Sequence, residues 1–239
     1  MFLGGIMVNI LFDCPNTQDF SLELAQYFNE NDKVAVVALS YYDDYVYDAE
    51  SWERVYGVGG NCYFETVDGL APFGIKPENI SFINYFKDSK ESARKKISEA
   101  DVIYFTGGLP DRMMDRIIDL DIYDALLAHR GVVMGYSAGA VIQLREYHLY
   151  PDGDYTDYGY YTGLPYLEGF GIEVHYEFKP EQDESIKRFL AERGLTVYVT
   201  HTAKGGIVVK DGSVRIIGTV DIYTPDNISN ITPEQDSRD

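Results

Sequence analysis

A serine set among small residues, Gly135-Tyr136-Ser137-Ala138-Gly139, follows the apolar run Gly131-Val132-Val133-Met134. An apolar run that stops at glycine and is followed by such a serine reads as a strand turning sharply into a helix, with one hydroxyl held at the corner. Bulky neighbours would collide with a side chain at that apex, and glycine and alanine relieve the crowding. The corner also leaves the Ala138 N–H at a helix start, aimed where a carbonyl oxygen would become negatively charged. One segment therefore offers a nucleophile and half an oxyanion hole. The same letters also occur in ordinary turns, so a base and an acid must come from the rest of the chain.

A serine hydroxyl needs a base within hydrogen-bond reach, usually histidine. His129 precedes the serine strand, near a helix C-terminus that explains it structurally. His148 lies between Tyr147 and Leu149, and His201 sits in a polar turn. His175 ends the apolar run Phe170-Gly171-Ile172-Glu173-Val174, at the same edge as Ser137, and is the expected base. A carboxylate should then fix its tautomer. Glu146, Asp152, Asp154 and Asp157 all lie between serine and histidine and remain open for that role.

The elements that must position these groups alternate. Strand candidates fall at 8–12, 34–39, 80–85, 102–105 and 132–134, with 34–39 a continuous apolar run, and helical stretches are expected at 19–29, 49–56, 89–99, 111–120 and 123–129. Helices are also expected over 138–146 and 185–193, with short, partly antiparallel strands at 197–199, 206–209, 214–217 and 222–223. Segment 147–161, rich in Asp, Gly and Tyr, reads as a loop over the cleft. This pattern predicts an α/β fold, a three-layer sandwich with a mostly parallel central sheet. Chemistry in such sheets collects at the carboxyl ends of strands, where both Gly107-Gly108 and Ser137 fall. One domain is expected over 1–226, with a polar, frayed tail over 227–239.

The combination Gly-Tyr-Ser-Ala-Gly-Ala at 135–140, preceded by Val102–Phe105 with Thr106-Gly107-Gly108 and followed by Gly163-Leu164 and a strand ending in His175, resembles serine peptidase family S51. The match runs from about Val102 to about Leu190. That family comprises the aspartyl dipeptidases (peptidase E) and the cyanophycinases, on a class I glutamine amidotransferase-like, flavodoxin-like fold. The resemblance implies Ser137 as nucleophile, His175 as base, and the N–H groups of Gly108 and Ala138 as the oxyanion hole. It places the triad acid on Asp152, with Asp154 close enough to take that place; Glu146 stays an alternative from its position between serine and histidine alone. The dipeptidases carry an arginine-containing stretch after the histidine that binds the substrate carboxylate. Here the corresponding residues are Glu181-Gln182-Asp183-Glu184-Ser185, which argues against strict Asp-X specificity.

The 239 residues carry 20 Lys+Arg against 39 Asp+Glu, and a net charge of −19 would repel nucleic acid and anionic lipid. No run approaches the roughly 20 apolar residues of a membrane span. The opening 1–12 lacks the basic start and cleavage site of a signal peptide and reads as a lead-in to a buried strand. Two cysteines, Cys14 and Cys62, form no metal-ligand or disulfide spacing, which fits a cytoplasmic setting without metal or cofactor. The expected substrate is a small peptide or amide-linked metabolite, and a homodimer is compatible with the tyrosine-rich segments. The alternative is a non-catalytic binding or regulatory protein on the same scaffold, since fold alone does not fix function.

Overall fold

The computed structural model describes residues 7–15 and 18–231. The lead-in 1–6 and the tail from 232 onward lie outside the described residues. Ten strands are present among those described: β1 (Val8–Phe12), β2 (Val34–Val37), β3 (Ile80–Phe82), β4 (Val102–Phe105), β5 (Val132–Tyr136), β6 (Glu146–Leu149), β7 (Gly159–Thr162), β8 (Phe170–Tyr176), β9 (Thr196–Lys210) and β10 (Ser213–Tyr223). The α-helices are α1 (Ser21–Leu24), α2 (Ala49–Tyr56), α3 (Asn61–Leu70), α4 (Lys90–Ser98), α5 (Pro110–Asp119), α6 (Tyr123–Ala128), α7 (Ala138–Val141) and α8 (Pro180–Arg193). None of them is long and apolar enough to cross a membrane.

The main sheet runs β10-β9-β1-β5-β4-β2-β3, with β8 also paired to β9. Neighbours from β1 to β3 are parallel, whereas β9 is antiparallel to both β1 and β10. Strands buried on both faces read as unbroken apolar runs, as Val34–Val37 and Val102–Phe105 do. Alternate residues then feed two different layers. Ile10, Val36, Tyr104 and Met134 pack with Leu24, Trp52, Tyr56 and Leu70 of α1 to α3. Ala35, Val37, Ile103, Phe105 and Val133 pack on the other face against Ile97, Met113, Ile117 and Leu126 of α4 to α6. The result is an α/β sandwich around a mostly parallel sheet.

Several segments depart from the sequence reading. Helix α3 has no expected counterpart, because its buried face is the small set Thr66, Gly69 and Leu70, and Thr66 Oγ1 donates to the Cys62 carbonyl at 2.8 Å. The helix expected over 138–146 stops at Val141. The segment 163–167 turns back on it: Leu164 N–H donates to Ile142 O at 2.7 Å, Leu167 N–H to Gln143 O at 3.1 Å, and Gly163 N–H to Arg145 O at 3.0 Å. Those carbonyls serve the returning chain instead of a continuing helix. The expected loop 147–161 is spanned at both ends by the antiparallel pair β6 and β7. The strands expected at 197–199 and 206–209 are parts of a single fifteen-residue strand, β9. At the C-terminus Ile228–Asn230 forms a short 3-10 turn and Ile231 is buried beside Tyr176 and Phe189, so the packed chain extends past 227.

Candidate active site

Ser137 stands between β5 and α7 with φ 53° and ψ −119°, a backbone conformation that L-residues rarely adopt. Such a residue costs on the order of 1–3 kcal/mol and persists only where its surroundings impose it. Those surroundings are visible. A Cβ on Gly135 would lie 2.2 Å from the Gly139 carbonyl oxygen, and one on Gly139 would lie 2.2 Å from Phe105 O. Both glycines of the motif are thus fixed by close backbone packing between β5, α7 and β4. The Ser137 N–H donates to Phe12 O at 2.9 Å, tying the corner to the end of β1. The next amide, Ala138, is the first residue of α7, where helical geometry supplies no partner within the helix.

The second expected donor is on the turn after β4. Gly108 has φ +133°, and a Cβ there would lie 2.2 Å from Ser40 O, so only glycine fits. Ser40, fully buried at the end of the apolar run after β2, donates its hydroxyl to Gly107 O and lies 2.8 Å from the Thr106 hydroxyl. The C=O of Gly107 and the N–H of Gly108 belong to one planar peptide and point opposite ways. Pinning the carbonyl to Ser40 turns the Gly108 N–H away from it, and Gly108 lines the cleft.

That cleft has a volume of about 330 Å³ and is bordered by Ser137, Ala138, Gly108 and His175 together. His175 lies one residue before the end of β8, with φ 56° and a side chain 43% exposed. Its carbonyl accepts from Gln182 Nε2 at 2.9 Å, and Gln182 Oε1 accepts the Glu177 N–H at 2.8 Å. The buried Gln182 of α8 therefore clamps the backbone on both sides of the strand end.

The expected acids fall in different places. Asp152 borders the cleft, with Oδ1 accepting the amides of Asp154 and Tyr155 at 3.0 and 3.2 Å. Asp154 also borders it and accepts from the Tyr42 hydroxyl at 2.6 Å. Burial of the Tyr42 ring, together with that carboxylate, raises its phenol pKa. Glu146 is outside the cleft lining and pairs with Arg193 at 2.6 Å. Among the described residues, the carboxylate within 4.0 Å of the His175 ring is none of these but Asp13, the residue after β1.

The other histidines are engaged elsewhere. His129 lies 3.2 Å from Val132 O at the opposite edge of the sheet, and burial lowers its pKa against the raising effect of that carbonyl. His201 pairs with Asp221 at 2.8 Å. His148 does border the cleft, buried and 3.1 Å from Glu173, whose carboxylate also accepts from Ser185 Oγ. No group of three His, Cys, Asp or Glu among the described residues is placed to hold a metal ion. The basic residues expected near an anionic substrate are paired: Lys179 with Glu177 at 2.7 Å, Lys187 with Glu184 at 3.1 Å, Arg188 with Glu192 at 2.8 Å.

Sequence reasoning missed Asp13 and Ser40. Both stand immediately beyond an apolar strand run, Val8–Phe12 and Val34–Leu39, at the carboxyl edge where sites collect. That position was the available signal.

The model of peptidase family S51 matches residues 61–217. Two solved structures share the fold. A candidate peptidase E from Listeria monocytogenes EGD-e is 15% identical, with 90% of this chain and 99% of that one covered and a TM-score of 0.61. A peptidase from an acI-B1 Actinobacterium is also 15% identical, with 93% and 92% covered and a TM-score of 0.59. Comparison with curated proteins gives no match.

Proposed function

We infer from the cleft of this chain, which belongs to peptidase family S51 and is a serine-type peptidase, that Ser137 is the nucleophile and His175 its base. The observation that carries this reading is the strained Ser137 corner sharing one cleft with His175 and with the Gly108 turn. Ser137 Oγ attacks the carbonyl carbon of an amide while His175 accepts the hydroxyl proton. The N–H groups of Gly108 and Ala138 receive the oxyanion. Collapse breaks the C–N bond, the imidazolium returns its proton to the departing amine, and an acyl-serine remains. Water, deprotonated by the same imidazole, then releases the acid and regenerates the serine.

The substrate is a small peptide or an amide-linked metabolite, since the cleft of about 330 Å³ is at the small end of ligand sites. Its lining holds Asp152, Asp154, Glu173 and Glu177 against Lys179, which is already paired. A second anion would meet repulsion there, so strict Asp-X specificity does not fit. The thiols Cys14 and Cys62 are not joined in a disulfide, which suits a cytoplasmic setting. Incubation with a dipeptide and amide library, followed by mass spectrometry, tests the reading. Cleavage of a subset by the wild type and its loss in Ser137→Ala is expected. Equal cleavage by both proteins would rule out the serine mechanism.

A further inference from the structure

Strand β9 brings two strand ends face to face. Its first half pairs with β8, residue Phe170 opposite Thr196 through Glu173 opposite Val199, and its second half with β1, Phe12 opposite Gly206 through Val8 opposite Lys210. Because β8 runs parallel to β9 and β1 antiparallel, the carboxyl ends of β8 and β1 point toward each other. They converge beside the middle of β9, where Ala203 takes φ 57°. The residue that leaves β1 is Asp13, and the residue before the end of β8 is His175.

We propose that Asp13 is the carboxylate that orients His175, in place of the acids on the β6–β7 connection. The proposal rests on the reading of Ser137 and His175 as nucleophile and base. Asp13 has no exposed surface; Oδ2 accepts the Ala203 N–H at 3.1 Å and lies 4.0 Å from His175 Nδ1, while Oδ1 has no hydrogen-bond partner. A buried carboxylate with an unused oxygen is costly unless an opposite charge forms beside it, and an imidazolium does so at each proton transfer. Contact through Nδ1 leaves Nε2 for the serine, the division of roles that a triad requires. Phe12 is in register with Tyr136, so Asp13 leaves β1 at the level where Ser137 leaves β5. Acid and nucleophile are thereby held by adjacent strands, which place groups more accurately than loops. The acids first expected in this role are committed elsewhere: Asp152 to two amides and Asp154 to Tyr42 on the β6–β7 connection, and Glu146, in β6, to Arg193. At 4.0 Å the pair is longer than a hydrogen bond, and a closure of about 1 Å on substrate binding would make it one, as free sites commonly require.

Asp13→Asn keeps the size and the acceptor for Ala203 but removes the charge. On a cleaved substrate, kcat should fall on the order of 10³–10⁴-fold with KM little changed, whereas Asp152→Asn and Asp154→Asn, which line the cleft, should act mainly on KM and lose far less kcat. Thermal melting of Asp13→Asn must show a folded protein. Imidazole ¹⁵N NMR, with His175→Gln to assign the signal, should show the Nδ1–H tautomer in wild type and its loss in Asp13→Asn. Retained activity in Asp13→Asn, or a large loss confined to Asp152→Asn, would overturn the proposal. If Ser137→Ala proves as active as wild type, the nucleophile assignment fails, and the NMR result still decides the contact. Unchanged tautomer populations in Asp13→Asn would then refute it.

Discussion

Gly108→Ala should disable catalysis without unfolding the chain. A Cβ at this position would sit 2.2 Å from Ser40 O, 2.9 Å from Ser40 C and 3.2 Å from Ser40 Cβ. Ser40 has no room to yield, since it is fully buried, accepts the Leu109 N–H at 2.6 Å and binds both Thr106 and Gly107. The glycine peptide must therefore retreat, by about 1 Å to restore van der Waals separation, and it must also leave φ +133°, which costs alanine roughly 1–3 kcal/mol. A misplacement of ~1 Å in a catalytic group costs ~10²-fold, and loss of a whole oxyanion donor ~10²–10³-fold, or about 2.7–4 kcal/mol of the barrier. The assay is the second-order rate constant for phosphonylation of Ser137 by a fluorophosphonate, whose P–O oxygen uses the same donors, followed by intact-protein mass spectrometry. Gly194→Ala is the control: φ is +64° at the end of α8, nothing lies within 4 Å of a new Cβ, and only backbone strain of about 1–2 kcal/mol is added. Gly108→Ala should be slowed at least ~10²-fold and Gly194→Ala should label normally. A folded Gly108→Ala protein that labels within about threefold of wild type, under 1 kcal/mol, would refute the assignment of that amide.

Three further outcomes concern stability. Arg116→Met removes a buried guanidinium that donates to Leu39 O at 2.6 Å and Tyr41 O at 2.9 Å, and urea melts should show a loss of ~2–4 kcal/mol from the stranded carbonyls, the mostly exposed Asp43 contributing little. His129 has its pKa lowered from 6.5 by burial, so the folded state binds fewer protons than the unfolded chain. Its contribution is present above pH 6.5 and lost as pH falls through the lowered value, and His129→Gln should flatten the fall in melting temperature over that range. Asp13 has its pKa raised from 3.8, by burial first, with the charge of His175 opposing. The contribution of Asp13 to stability is then greatest below pH 3.8 and declines as pH rises through the raised value. Asp13→Asn should melt at or above wild type at neutral pH, with the gap closing on acidification.

The parallel core was legible because strands such as Val34–Val37 and Val102–Phe105 are buried on both faces and so carry no polar interruption. The Ser137 corner was legible for a related reason, since backbone packing of 2.2 Å at Gly135 and Gly139 permits no other residue. What escaped depends on contacts distant in sequence. Residues 138–146 have helical composition, but the segment 163–167 takes their carbonyls. Asp13 lies more than a hundred residues from both Ser137 and His175, and no local pattern announces that β9 will bring its strand end against β8. The tyrosine-rich segment hid a strand pair because β6 and β7 are only four residues each, Glu-Tyr-His-Leu and Gly-Tyr-Tyr-Thr, and carry no apolar run.

Catalysis by this chain requires the Ser137 hydroxyl to be an activated nucleophile. Treatment with a fluorophosphonate at neutral pH, followed by peptide mapping, measures this directly. One phosphonyl group per chain is expected, located on Ser137, absent from Ser137→Ala and formed far more slowly in His175→Gln. No adduct, or an adduct on another residue that persists in Ser137→Ala, would contradict it.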